Sequence, residues 1–138
     1  MAFASQTSVT VAESVADIQK IIARHGGKVL RCEEWNSGGI CEFVAKNTKI
    51  RFVLEYRVTK SAMSHAPERR DQEHRAHWRA LFLTIKAKFV SVEAGIESFH
   101  EAFMGRIVQA DDSVAVTKYL PQILKNSITE ANGWKKLL

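Results

Sequence analysis

The chain has 138 residues, of which 46% are hydrophobic and 25% charged, enough to bury a core without disulfides or metal and too apolar for a disordered chain. Lys and Arg number 20 against 15 Asp and Glu, a formal charge of +5, which favours an anionic partner only modestly because the same charge also serves solubility. The opening MAFASQTSVTV lacks the basic start and apolar core of a secretory signal, and no run approaches the ~20 apolar residues of a membrane span.

We therefore expect one compact domain over residues 1–138 with terminal residues that fray, in a cytoplasmic protein with no membrane partner. Fold class is read as α+β: a short N-terminal helix, a three-stranded antiparallel meander, a long amphipathic helix and a short C-terminal helix.

Ser14 followed by Asp17 suits the start of a helix, where exposed N–H groups favour acceptors and acidic side chains. Val15, Ile18, Ile21 and Ile22 recur at helical spacing and Gly26-Gly27 ends the pattern, predicting a helix over Val15 to His25. The period then changes. Val29 to Trp35 and Ile40 to Ala45 flank Asn36-Ser37-Gly38-Gly39, and Lys46 to Lys49 connects to Ile50 to Tyr56, the pattern of three strands joined by tight turns.

In the third strand Ile50, Phe52, Leu54 and Tyr56 share one face, opposite Arg51, Val53 and Glu55. Arg51 then belongs either to a solvated sheet face or to a binding surface. Cys32 and Cys41 fall on paired strands. They read foremost as two reduced thiols, buried or partly buried, with a redox-responsive pair or shared metal ligation as the lesser readings.

Val58 to Ala66 is a connector, and Pro67 opens the next helix. Trp78, Phe82, Ile85, Phe89, Val92, Ile96, Phe99, Phe103 and Ile107 recur at alternating spacings of four and three, predicting one helix from about Pro67 to Met104 with a single apolar stripe. That stripe packs over the strands and first helix, or part of it pairs with another helix in a homodimer. Val114, Val116, Tyr119, Leu120, Ile123 and Leu124 then predict a docking helix over Thr117 to Asn126, with Pro121 near its start or interrupting it. Ile128 and Trp134 are expected to add terminal contacts.

On the long helix Arg75, Arg79 and Lys86 form a basic lane suited to phosphates, with Lys88 a further phosphate contact on the same helix, and Arg51 and Lys60 extend it. The same helix carries Glu68, Asp71, Glu73, Glu93 and Glu97, so the lane also reads as an ordinary mixed surface. Trp35 is the candidate for stacking on bases, against burial beside the sheet. His74 and His77, with His65 before them, do not make the His-Glu-x-x-His arrangement of a zinc site. Glu33, Glu34, Glu42 and Glu55 gather near the sheet, where Lys46 and Lys49 can neutralise them. No phosphate loop or nucleophile elbow is present, so we expect neither an enzyme nor a cofactor or metal.

The run His77-Trp78-Arg79-Ala80-Leu81-Phe82-Leu83-Thr84-Ile85-Lys86-Ala87-Lys88, with Val92 to Phe103 after it, resembles a family of small, poorly characterised phage and prophage proteins. The resemblance runs from about Val15 to Ile123. It implies association with phage genomes, and so DNA metabolism or modulation of a host protein, and it transfers no catalytic residue. The expected function is a noncatalytic, phage-associated DNA-binding accessory protein, selective for single strands. The alternative is a protein-interaction module that binds itself or a host protein through Trp78, Phe82, Phe89 and Phe99 on the long helix.

Overall fold

A computed structural model describes residues 6–57 and 67–128. The expected Lys60, His65 and Trp134 lie outside the described residues. Helix α1 spans Val11–Arg24, strands β1, β2 and β3 span Lys28–Trp35, Gly38–Ala45 and Thr48–Glu55, and helix α2 spans Pro67–Glu93. A short helix α3 (Phe99–Phe103) runs into a 3-10 turn at Met104–Arg106, and helix α4 covers Ala115–Lys125. This is the expected α+β order of short helix, three-stranded antiparallel sheet, long helix and short C-terminal helix.

Helix α1 begins four residues earlier than the spacing predicts. Its cap is Thr10, whose hydroxyl accepts from Glu13 N at 3.1 Å while the Glu13 carboxylate reaches back to Thr10 N, a reciprocal box that satisfies two end donors. Ser14, the expected cap, instead sits fully buried inside the helix. At the other end the His25 ring stacks on Phe89 at 4.1 Å and contacts Glu93 at 2.5 Å, fastening α1 to the end of α2.

The sheet order is β1-β2-β3. Asn36-Ser37 alone form the first turn, so Gly38 and Gly39 belong to β2. A Cβ on Gly38 would lie 1.9 Å from the Leu54 carbonyl oxygen, so this glycine lets β3 approach. Lys46 and Asn47 form the second turn with φ of 52 and 58°, the left-handed pair that matches the twist of a two-residue hairpin. A register shift between Val29 and Arg31 leaves Leu30 as a bulge in edge strand β1, half-exposed.

One sheet face meets the helices. Cys41, Phe43, Ile50 and Phe52 pack with Ile18 and Ile22 of α1 and with Trp78, Ile85, Phe89 and Phe103. The predicted alternation in β3 holds, since Ile50 and Phe52 are buried and Val53 is 48% exposed.

The long helix stops at Glu93 rather than near Met104. Gly95 has φ +75°, Ile96 N bonds Ser91 O at 3.0 Å and Gly95 N bonds Val92 O at 3.1 Å. These are the two bonds of a Schellman ending, which needs a residue free to adopt the left-handed conformation. Ile96, expected on the stripe, lands in this turn and is 77% exposed. Ser98 and Glu101 then make a second capping box, and α3 returns Phe99 and Phe103 to the core, with their rings 6.2 and 5.2 Å from that of Phe89. The aromatic seam survives in space, carried by two helices instead of one.

Candidate functional site

The expected basic lane separates into individual contacts. Arg79 bonds Asp17 of α1 at 2.8 Å, its guanidinium lying 4.4 Å over the Phe82 ring. Arg75 bonds Gln72, which in turn donates to Thr7 O. Lys88 donates to Ala102 O at 2.8 Å, holding α3 against α2. Two residues advance a helix by about 200°, so Lys88 cannot share a side with Lys86. Lys86 is exposed and lines a groove between α1 and α2 together with Asp17, Lys20, Ile21, Arg24 and Phe82. Lys20 and Arg24 were not anticipated. Their spacing of four on α1 was the available signal.

Arg51 is committed to a charge cluster on the sheet face opposite the helices. Its Nε and that of Arg31 each donate to Glu42 at 2.5 Å, one to each carboxylate oxygen. Lys49 stands 3.7 Å from the same carboxylate. Arg51 also donates to the Asp112 carboxylate at 2.7 Å and to its carbonyl at 2.8 Å. Cross-strand register explains the cluster, because Arg31, Glu42 and Arg51 are directly opposed.

Glu42 is 3% exposed. Burial alone would raise its pKa, but the hydrogen bonds from Arg31 and Arg51 outweigh it and hold the carboxyl below the usual range. Asp112, bonded by Arg51, is lowered as well. Arg51 thus ties the turn around Asp112 to the sheet.

Trp35 lies on that same outer face and is 43% exposed, not buried beside the sheet. With Ser37, Val53 and Glu55 it lines a shallow groove. Glu33 and Glu55 share the face by register, so the ring has no exclusively basic surroundings.

The histidines assemble with groups the sequence did not connect. Tyr56 OH donates to Glu34 and accepts from Trp78 Nε1 at 2.8 Å. His74 stacks on the Tyr56 ring at 3.9 Å, and its Nδ1 lies 3.2 Å from the Glu34 carboxylate. Burial first, then the bond to Glu34, raises the Tyr56 pKa far above its ordinary value. His77 Nδ1 is 2.9 Å from Glu73 O. The arrangement fastens β1, β3 and α2 at one end of the sheet. Among the described residues no group of three metal-ligating side chains converges.

Trp78, Phe82, Phe89 and Phe99, expected as interface residues, are at most 9% exposed and pack within one chain. Among the exposed apolar side chains, a run of them falls on α4. Tyr119, Leu120, Ile123 and Leu124 lie along one side of this helix and are 40–60% exposed, with Ile128 beyond its end at 63%. None of the α4 side chains is buried. The helix packs chiefly on the Met104–Arg106 turn, where Val116 lies over Gly105.

Pro121 sits inside α4, so it supplies no N–H for the i+4 bond to the Thr117 carbonyl. Thr117 and Pro121 are both exposed, so water can meet that carbonyl. Asp111 before the helix accepts from Ser113 Oγ and N and pairs with Lys118 at 3.1 Å, contacts that hold its pKa at about 2. No helix among the described residues is long and apolar enough to cross a membrane. No protein-family model, curated protein or solved structure matches the chain.

Proposed function

We propose that the chain is a noncatalytic protein-interaction module that pairs with a second copy of itself through α4. One observation carries this reading: the exposed stripe of Tyr119, Leu120, Ile123 and Leu124 on a helix that packs chiefly on a single turn. A contiguous apolar surface of this kind is what association buries. An antiparallel α4 pair is isologous, so the same stripe serves both copies.

Sedimentation velocity from low to high micromolar concentration tests the pairing. The expected result is a concentration-dependent dimer that Ile123→Glu converts to monomer. Because Ile123 is exposed, the variant should keep its unfolding transition within about 0.5 kcal/mol. A wild-type chain that stays monomeric throughout, or a variant that still dimerises, overturns the proposal.

The α1–α2 groove favours a second reading, in which an accessory protein binds single-stranded DNA through Lys20, Arg24 and Lys86. Three phosphate contacts to a single strand give a slope of about −2 in log K against log salt. Fluorescence anisotropy with labelled single strands should show that slope and a weakening on Lys86→Glu. No binding at low salt overturns it.

A further inference from the structure

We propose that Cys32 and Cys41 are a redox-active pair that closes to a cross-strand disulfide by exchange with small disulfides of the glutathione class. The proposal uses nothing in α4 or in the α1–α2 groove.

Geometry is its basis. The two residues face each other in the β1–β2 register, and both are thiols with their sulfurs 3.2 Å apart. The first turn contains only Asn36 and Ser37, so its flanking pair, Trp35 and Gly38, is hydrogen-bonded. Antiparallel pairs alternate in type. Counting outward, Cys32–Cys41 falls at a non-hydrogen-bonded position, where Cα atoms come within about 4.5 Å, at the short end of the disulfide range. Closure brings the sulfurs roughly 1 Å nearer, to the ~2.0 Å bond.

Access differs between the two thiols, and that sets the order of events. Cys41 is fully buried on the central strand, whereas Cys32 is partly exposed on edge strand β1. Once Cys32 ionises, the Cys41 S–H donates to it, lowering the Cys32 pKa and raising that of Cys41.

The Cys32 thiolate attacks one sulfur of glutathione disulfide, cleaving that bond and releasing one glutathione thiolate, which takes up a proton. With Cys32 now in a mixed disulfide, its thiolate no longer holds the Cys41 proton. Cys41 attacks the Cys32 sulfur, cleaving the mixed disulfide, and its proton passes to the departing second glutathione thiolate. Two protein thiols are oxidised to one disulfide, and one glutathione disulfide is reduced to two thiols.

The test treats the folded full chain with glutathione disulfide, followed by intact-mass measurement and thiol titration. We expect a product lighter by two hydrogens, with both thiols lost and no glutathione retained. Cys41→Ser should halt at one glutathione on Cys32, and Cys32→Ser should remain unmodified while folded. The closed form should be favoured at least about tenfold more in the folded chain than in denaturant, because the fold holds the sulfurs together. Stable glutathionylation of the wild-type chain, two unreacted thiols, or equal closure in denaturant would each overturn the proposal.

Discussion

Replacing Glu42 with glutamine removes the charge on which Arg31 and Arg51 converge while keeping the side chain's shape. The Arg51 side chain is 12% exposed and that of Glu42 4%, so their bond is largely shielded. A hydrogen bond to a charged group contributes about 1.5–3 kcal/mol, and breaking a buried pair costs about 3–5 kcal/mol when the remaining charge has no other partner. Arg51 retains Asp112, which places the expected loss nearer the lower range, at about 2 kcal/mol. Arg31 is 42% exposed and adds little because solvent screens it.

Urea unfolding at neutral pH measures the loss, with the slope unchanged if the fold is preserved. The pH dependence supplies a second readout. Glu42 has a folded pKa below its ordinary value, so its stabilisation is fully present above the unfolded pKa of about 4.3 and disappears as pH falls through the folded pKa. The gap between wild type and Glu42→Gln should therefore hold steady from neutral pH to about pH 5 and narrow below about pH 4. A neutral-pH loss under about 0.5 kcal/mol, or a gap that widens toward acid, would refute this account of the cluster.

Trp78→Phe deletes the indole donor to Tyr56 and empties part of a fully buried site; thermal unfolding should show a loss of about 2 kcal/mol. Gly38→Ala forces a methyl against the Leu54 carbonyl and should cost about 3 kcal/mol by separating β2 from β3, read by urea unfolding. Gly95→Ala meets nothing within 4 Å, so only the left-handed backbone resists it. Its cost should be about 1 kcal/mol by the same measurement, and a neutral effect would contradict the Schellman ending.

The meander was legible because its information is local. Alternation in Ile50 to Tyr56 and the small polar turns report directly on neighbouring residues. Helix boundaries were coded locally too, but in signals the apolar stripe overshadowed. Thr10 with Glu13, and Gly95 followed by Ser98 and Glu101, are capping patterns readable in the sequence. Uninterrupted spacing from Trp78 to Phe103 masked the second, because a stripe can continue through space after its helix has ended.

The charged residues were less legible for a different reason. Arg79 meets Asp17 across 62 positions, and Arg51 meets Asp112 across 61. No local pattern distinguishes a cation available to a ligand from one already holding two elements together. The α4 stripe was visible as an apolar pattern, but a pattern of that kind does not say whether its own chain covers it.

The bulge at Leu30 bears on how copies of this chain can meet. At the far side of the sheet, the β3 edge is partly closed, since Ile107 bridges Ile50 and Val108 N donates to Lys49 O. The β1 edge is interrupted by the bulge and carries Lys28, Arg31, Glu33 and Glu34. Both features make a strand a poor template for another strand. Growth of the sheet from molecule to molecule by strand addition is thus discouraged at each border.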